Sequence, residues 1–362
     1  MKGQKIVPLI MLALIFILLA SLSFSCAQGE EKEASSKIIT ITDAAGRVVE
    51  IPSPLNRVIA IGPGAHVAMK AIGVNPDKIV GIPQMISEEK ILFPELFNKP
   101  IVTARRWWEL NFEKIIELKP QVVIVDVKTT KPEVEDKLEG MGIKVVRLDF
   151  HEPETMESNV KILGKMFGRE QQAEEFAKFW SSELMAIQKK IQHLGDNEKV
   201  RLYLEDWRGG PYHASTEDSS YGQLAKMVGA VNIAHGYVGG SIAELSAEYI
   251  IKENPQVIVK ISREGGFGNT DQVPLKEARE EIMEREGFRM IEAVKEGRVY
   301  VISNDVFGGA FKNIGACYLA KVFYPELFKE LDPQKYLKEY LEKYLGVKYE
   351  DAKGVFIYPE LT

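Results

Sequence analysis

The stretch FEKIIELKPQVVIV at residues 112–125 occurs a second time as AEYIIKENPQVIVK at residues 247–260. The two stretches align without a gap at an offset of 135 positions, and both carry a glutamate at the second place and the tripeptide Pro-Gln-Val. Each reads as a short amphipathic helix, a proline-containing turn and an apolar run rich in β-branched residues, which predicts helix, turn and buried strand. The same supersecondary unit is therefore written twice, which predicts two lobes of like topology.

Strands and helices alternate around both copies of this unit. Apolar runs predicted as strands lie at residues 57–61, 78–82 and 144–149 around the first copy, and at 201–206 and 298–305 around the second. Continuous apolar strands that alternate with helices predict parallel sheets covered on both faces. We therefore expect an α/β fold with two Rossmann-like lobes, each built on a parallel central sheet.

The segment between the lobes has the spacing of a long helix. Apolar residues recur every three or four positions over residues 154–194, and residues 170–193 would span about 36 Å as one helix. We predict an N-terminal lobe at 38–153, a single long connecting helix at 154–194 and a C-terminal lobe at 195–332. The remaining residues, 333–362, are predicted to form a C-terminal helical extension that packs on the second lobe.

The N-terminus has the pattern of an export signal. Lys2 and Lys5 precede an apolar run at residues 6–24, and small residues flank Cys26. Residues 1–26 are interpreted as a signal or lipoprotein segment with lipid attachment at Cys26, and an uncleaved membrane-spanning helix is the alternative. Residues 27–37 are a polar tether. Both alternatives predict a chain outside the cytoplasm that is anchored to a membrane.

Composition excludes several classes of function. The 362 residues carry a net charge of −6 with a pI near 5.7, whereas nucleic-acid binding requires a basic surface. Cys26 and Cys317 are the two cysteines, too few for a disulfide framework, and Cys317 lies in an apolar helical run typical of a core thiol. The sequence contains no phosphate loop, zinc-protease helix or nucleophile elbow. No cofactor is therefore expected.

Aromatic, arginine and glycine residues gather in loops that follow predicted strands, which is where ligands bind in α/β sheets. Aromatic rings provide flat contact area, and arginine binds anions through paired hydrogen bonds. The arginines of these loops predict an anionic ligand. His66 and His213 are expected to act there as hydrogen-bonding groups. The predicted ligand-binding residues are His66, Arg105, Arg106, Trp207, Arg208, Tyr212, His213, Tyr237, Arg263 and Phe307.

The order of these segments resembles that of the solute-binding proteins of ABC importers for ferric siderophores, haem and cobalamin. The motifs TDAAGRVVEIP, RVIAIGPG and EGRVYVISND and the two Pro-Gln-Val units carry the resemblance, over about residues 38–328. It implies two lobes joined by one rigid helix, with the ligand between them, and a permease dimer with its ATPase subunits as partner. It also implies that Trp107 lines the cleft and that Glu113 and Glu248 dock onto permease arginines.

The preferred hypothesis is a monomeric binding protein that captures a metal chelate, with a ferric siderophore as the expected ligand. Ile242 stands where cobalamin-binding relatives have a tryptophan, which disfavours cobalamin. Molybdate, tungstate or a bare metal ion are alternative ligands, the last because His66, His151, His213 and His235 could converge. A chelatase-like enzyme is the alternative from another class, and the export signal disfavours it. A cell-surface adhesion module does not fit the repeated lobes.

Overall fold

The computed structural model describes residues 37–104, 106, 108–128, 131 and 133–361. The predictions made for the signal segment, the lipidated Cys26 and most of the tether lie outside these residues. The predictions made for Arg105 and Trp107 also lie outside the described residues. Across the described part of the chain, every helix is too short or too polar to span a bilayer.

The first lobe starts with an antiparallel hairpin and continues as a parallel sheet. Strands β1 (Lys37–Thr42) and β2 (Val48–Ser53) pair with Lys37 opposite Ser53. The sheet has the order β4-β3-β5-β6, and its neighbouring strands are parallel, as predicted. Its strands are β3 (Val58–Ala60), β4 (Ile79–Gly81), β5 (Val122–Asp126) and β6 (Lys144–Leu148). The helices are α1 (Pro63–Ala71), α2 (Gln84–Glu88), α3 (Phe112–Leu118) and α4 (Glu133–Glu139).

Two helices connect the lobes. Helix α5 (Met156–Phe167) ends at Gly168, whose φ of 64° lies in the left-handed region that glycine adopts without strain. Helix α6 (Glu170–Ile191) follows at once and is the long connecting helix. The glycine divides the predicted helical segment in two, and α6 alone supplies its length.

The second lobe contains a sheet of mixed direction. Strands β7 (Val200–Glu205), β11 (Val257–Ser262) and β12 (Val299–Ser303) form its parallel centre, and β9 (Ala230–Asn232) pairs parallel with β7. The sheet also contains β8 (His213–Ser215), antiparallel to both β7 and β10 (Ile242–Glu244). Helices of this lobe are α7 (Ser220–Met227), α8 (Ala247–Glu253), α9 (Val273–Glu284), α10 (Glu292–Lys295) and α11 (Asn304–Phe307).

The C-terminal segment contacts the connecting helix as well as the second lobe. Helices α12 (Lys312–Phe323) and α13 (Pro333–Glu339), a π-helical turn at Tyr340–Tyr344 and α14 (Tyr349–Ala352) lead to β13 (Ile357–Tyr358), which joins β12 antiparallel. The Phe179 ring of α6 lies 4.6 Å from that of Tyr336 and 4.5 Å from that of Tyr344. The sequence predicted a helical segment here that packs on the second lobe. It did not predict the surface that covers these tyrosines or the final strand.

One hydrophobic core runs through both lobes. Buried residues of the first sheet, the connecting helix and the second sheet, including Val58, Trp180 and Val259, belong to a single packed cluster. The Trp180 indole N–H donates to the Ala310 carbonyl at 2.6 Å, and the Tyr340 hydroxyl donates to the same oxygen at 3.1 Å. The lobes are therefore joined by packed side chains in addition to a helix, which favours a stiff molecule.

Candidate ligand cleft and docking face

The repeated sequence unit is also a repeated structural unit. Helices α3 and α8 each have seven residues. The side chains of Asn111 and Ser246 accept a backbone N–H of the first turn, at 3.0 and 3.1 Å, which satisfies a donor that the helix itself leaves unpaired. Lys119 and Asn254 end the helices with φ of 46° and 45° in the left-handed region. All four positions correspond at the sequence offset of the repeat.

The glutamine of each Pro-Gln-Val unit fixes the neighbouring strand. Gln121 Oε1 accepts the backbone N–H of Asn56 at 2.7 Å and of Arg57 at 3.0 Å, and Gln256 Oε1 accepts that of Arg201 at 3.1 Å. Arg57 immediately precedes β3, and Arg201 lies at the start of β7. The shared glutamine therefore has a structural explanation in both lobes.

The two arginines complete the same unit. Arg57 Nε donates to the Lys119 carbonyl at 3.1 Å, and Arg201 Nη2 donates to the Asn254 carbonyl at 3.2 Å. These carbonyls end α3 and α8, where a helix leaves acceptors unpaired. Each arginine therefore ties a helix end to the adjacent strand.

The shared glutamates lie on the edge of the sheets where the parallel strands end. A helix that connects parallel strands runs antiparallel to them, so the N-termini of α3 and α8 lie at this edge. Glu113 and Glu248 occupy the first turns and are exposed. The backbone N–H of Glu248 and the Ser246 hydroxyl lower the pKa of the Glu248 carboxyl. Glu113 forms no ion pair or hydrogen bond with the residues described.

The first lobe presents a charged group of side chains at this edge. Asp126 ends β5, and His151 follows β6, with His151 Nε2 3.4 Å from Asp126 Oδ2. Burial lowers the pKa of His151, although Asp126 acts in the opposite direction. The Lys128 ammonium pairs with Glu152 Oε1, while Glu152 Oε2 is buried and has no hydrogen-bond partner among the described residues.

In the second lobe, cationic side chains pack against aromatic rings. The Arg263 guanidinium lies 5.0 Å from the centre of the Trp207 ring, and Trp207 Nε1 donates to the Tyr221 hydroxyl at 3.4 Å. The Arg208 guanidinium and the Lys312 ammonium lie 5.5 and 5.0 Å from the Tyr221 ring. These distances are typical of cation–π contacts. We call Arg263, Trp207, Tyr221, Arg208 and Lys312 the cation–aromatic stack.

Arg208 forms an ion pair within the protein that the sequence did not predict. Its Nε and Nη2 donate to the two carboxylate oxygens of Asp206 at 2.8 and 2.6 Å, and Ser215 donates to Asp206 Oδ2 at 2.6 Å. Asp206 is fully buried, and although burial raises its pKa, these hydrogen bonds outweigh it and the pKa is lowered. Arg208 therefore neutralises a buried carboxylate through Nε and Nη2, and its contact with ligand stays a prediction.

The neighbouring acid, Glu205, belongs to a different network. It receives hydrogen bonds from Arg285 Nη2 at 3.0 Å and Lys260 Nζ at 2.6 Å. Adjacent strand residues point to opposite faces, so Glu205 and Asp206 do not form a catalytic pair.

Lys312 is the residue of this site that the sequence analysis missed. It starts α12 and is only 1% exposed. Burial lowers the pKa of Lys312 to about 8, the carboxylates of Glu152 and Asp149 raise it, and Arg208 and Lys128 lower it. Its ammonium has no ion pair or hydrogen bond with any described residue. A lysine at the start of an otherwise apolar run, AFKNIGACYLA, was the available signal.

Two predicted ligand-binding residues are buried in the core. The His66 imidazole is 1% exposed, its Nδ1 lies 2.9 Å from the Gly62 carbonyl, and burial lowers its pKa to about 4. Phe307 has no exposed surface and stacks behind Tyr221, with ring centres 5.6 Å apart. The expectation that they contact ligand directly is corrected, because apolar burial on their own elements takes both side chains inward.

The remaining predicted residues lie apart from the cation–aromatic stack. Tyr212 packs below Arg285, 4.9 Å from its guanidinium, and His213 Nδ1 lies 3.0 Å from the Pro211 carbonyl. Tyr237 is exposed on a glycine-rich loop. Arg106 lies 3.8 Å from Glu109. Of the predicted set, the structure therefore brings together Trp207, Arg208 and Arg263.

The four histidines do not converge on a metal site. No group of three or more His, Cys, Asp or Glu within the described ranges is arranged to hold a metal ion. Cys317 is buried, as predicted, and burial raises the pKa of its thiol.

Known proteins resemble this chain over most of its length. It is 25% identical over 297 residues to the uncharacterized ABC transporter substrate-binding lipoprotein YvrC of Bacillus subtilis, covering 81% of this chain and 87% of that protein. It is 24% identical over 369 aligned positions to the molybdate-binding protein MolA of Haemophilus influenzae, covering 93% of this chain and 97% of that protein. Both relatives are named as binding proteins.

A solved structure has the same fold. The TroA-like periplasmic binding protein FepB of Veillonella parvula matches with a TM-score of 0.74 and 26% identity, covering 88% of this chain and 99% of that one. Family and fold are those of transport binding proteins and not of enzymes, which removes the chelatase alternative. The sequence pattern of the periplasmic binding protein family matches residues 58–306, so this chain belongs to that family and is an extracytoplasmic solute-binding component of an ABC transporter.

Proposed function

We propose that this protein captures an anionic metal chelate, most favourably a ferric siderophore, between its two lobes and delivers it to a permease dimer with its ATPase subunits. The observation that carries the proposal is the cation–aromatic stack of the second lobe, in which Trp207 and Arg263 follow the ends of β7 and β11. The exposed Arg263 supplies positive charge without an ion pair among the described residues, the buried Lys312 adds charge behind it, and the half-buried Trp207 supplies flat apolar surface. A bulky anion with planar groups fits both properties.

The competing ligands fit this surface less well. A bare metal cation would be repelled by the positive charges of Lys312 and Arg263. A neutral corrinoid would leave those charges uncompensated. Molybdate is the second candidate ligand, because MolA, which is named as a molybdate-binding protein, aligns over 93% of this chain. A small oxyanion would use the cations but would leave the Trp207 ring without a ligand contact.

Attachment to the membrane belongs to the same proposal. Cys26 follows the apolar segment and would receive a lipid, and residues 27–37 would tether the binding lobes. The name of YvrC as a lipoprotein supports this proposal. Metabolic labelling with a fatty acid, compared between the parent and Cys26→Ala, tests it.

Isothermal titration calorimetry of the mature protein tests ligand capture. The panel contains ferric catecholate, ferric hydroxamate and ferric citrate complexes, cobalamin, molybdate and Ni²⁺. We expect saturable binding of a ferric chelate, and Arg263→Ala should weaken it by about 10-fold or more, the effect of losing a hydrogen bond to a charged group. Arg289→Ala is the matched control, because Arg289 is an exposed arginine of the same lobe. Binding of molybdate or Ni²⁺ without any chelate contradicts the proposal.

A further inference from the structure

We infer that residues 352–356 of the C-terminal extension hold the loop at residues 263–269 in the position from which Arg263 binds an anionic ligand. We call these two stretches the support segment and the Arg263 loop. The loop follows β11 directly, and all of its described residues lie outside helices and strands. The inference rests on the proposed function, in which Arg263 contacts the ligand. The support segment is then a positioning element that affects ligand affinity through Arg263.

Backbone hydrogen bonds join the support segment to the Arg263 loop. The Gly266 N–H donates to the Val355 carbonyl at 2.8 Å, and the Val355 N–H donates to the Asn269 carbonyl at 2.8 Å. The Gly268 N–H donates to the Ala352 carbonyl at 3.3 Å. A loop lacks the regular pairing that satisfies backbone groups in a helix or sheet. The support segment supplies these partners and so fixes the path of the loop.

Side chains anchor both stretches at the end of β12. The Phe267 ring of the loop lies 5.3 Å from the ring of Phe356 in the support segment and 5.1 Å from that of Phe311. The Phe267 N–H donates to Asp305 Oδ2 at 2.9 Å. The N–H of Ser303, the last residue of β12, donates to the Phe356 carbonyl at 2.8 Å. The loop therefore rests on the extension and on the central sheet together.

Gly354 allows the two stretches to approach each other closely. A Cβ atom at this position would overlap the Gly266 carbonyl oxygen and would lie 2.8 Å from the Asn269 carbonyl oxygen. Both are backbone atoms, which cannot rotate away as the end of a side chain can. Any larger residue at position 354 must therefore displace the Arg263 loop or the support segment.

The Arg263 loop contacts both lobes. At its start, the Arg263 guanidinium lies 5.0 Å from the centre of the Trp207 ring. Near its end, a Cβ atom on Gly268 would overlap Cδ1 of Ile91, which lies between α2 and α3 of the first lobe. Arg263 forms no ion pair with the residues described, so its place beside Trp207 depends on the path of the loop. Binding groups keep their geometry only when the residues behind them are fixed.

Hydrogen exchange of the mature protein without ligand tests the contact between the two stretches. Gly354→Ala should speed exchange of the Gly266 and Gly268 amides by about 5-fold, the effect of weakening one hydrogen bond. Lys353→Ala is the matched control, because the adjacent Lys353 is exposed and pairs with Glu350 at 2.8 Å. Exchange in this control should equal that of the parent.

Calorimetry then tests whether the support segment acts through Arg263. The probes are the ferric catecholate, hydroxamate and citrate complexes and molybdate. Gly354→Ala should weaken chelate binding by about 5-fold, less than Arg263→Ala does. When combined with Arg263→Ala it should cause no further loss, because the two changes remove the same contact. A general loss of stability would instead weaken binding by the same factor in both backgrounds.

Phe267→Leu, which reduces the ring contacts between the two stretches, replaces Gly354→Ala if that variant does not fold. Unchanged exchange, unchanged affinity, or equal losses in the presence and absence of Arg263 would overturn the inference and leave the proposed function standing. If the parent binds molybdate and no chelate, the proposed function fails, and the same cycle with molybdate decides the inference. A parent that binds none of the four probes overturns both.

Discussion

Gln121 and Gln256, which occupy the same place in the two copies of the repeat, make the same hydrogen bond. Each side-chain oxygen accepts the backbone N–H of an arginine at the start of the neighbouring strand, at 3.0 Å for Arg57 and 3.1 Å for Arg201. Gln121→Ala and Gln256→Ala should each lower the free energy of unfolding by about 1 kcal/mol, the typical value of one hydrogen bond. Urea denaturation measures this, and Gln→Glu at each position is the control that keeps the acceptor. Unchanged midpoints in both alanine variants would contradict the assigned role.

The shared glutamates give a prediction about transport. Glu113→Ala and Glu248→Ala should leave ligand affinity unchanged and should weaken uptake, and the double variant should abolish it, because each acid would engage one half of the permease. Glu117→Ala is the matched control on the same helix, where Glu117 pairs with Lys114 at 2.9 Å. Uptake assays in cells that depend on this protein provide the measurement. Full uptake by the double variant would leave only helix stabilisation for these acids.

Because His66 is buried, the folding stability of the protein should fall in acid. Burial lowers its pKa from 6.5 to about 4, so the unfolded chain binds a proton at a higher pH than the folded chain does. Stability should therefore fall as the pH drops from about 6.5 to about 4, by up to roughly 3 kcal/mol, and His66→Leu should flatten this part of the profile. Chemical denaturation at a series of pH values tests it, with the exposed His193→Gln as control. An unchanged slope in His66→Leu would remove His66 as the cause.

The continuous core predicts a small movement on ligand binding. Trp180 and Tyr340 both donate to the Ala310 carbonyl, and α1 of the first lobe packs on the segment Gly309–Phe311. The lobes should close by a few degrees and not by tens of degrees, because packed cores resist deformation. Small-angle X-ray scattering with and without ligand should give nearly the same radius of gyration. A clear decrease on binding would contradict a rigid connection.

The sequence predicted the parallel parts of the fold because their signals are long. The helix, turn and strand of each repeat extend over fourteen aligned residues, six of them identical, and their boundaries agree with α3, β5, α8 and β11. Strands β8 and β10 have three residues each and β13 has two. Runs this short contain too little alternation to register as strands, so the mixed direction of the second sheet was not predicted.

The site was predicted at the level of loops and less well at the level of side chains. The composition of the loop at Trp207–Arg208 identified a surface of the cleft, but it could not show that Asp206, two residues before Arg208, occupies the guanidinium. Phe307 was placed in the cleft although it closes the core behind Tyr221. Lys312 was overlooked because lysine is usually exposed, and it is the packing of α12 that shows its side chain to be buried.

The central claim is that the cleft holds an anionic metal chelate. Native mass spectrometry of the protein isolated from its own cells tests it most directly, because it weighs whatever the cleft has captured. The account predicts an added mass that corresponds to a ferric chelate, retained by the parent protein and by Arg289→Ala but lost from Lys312→Met and Arg263→Ala. An added mass of a bare metal ion or of molybdate, or a chelate retained equally by all four proteins, would contradict it.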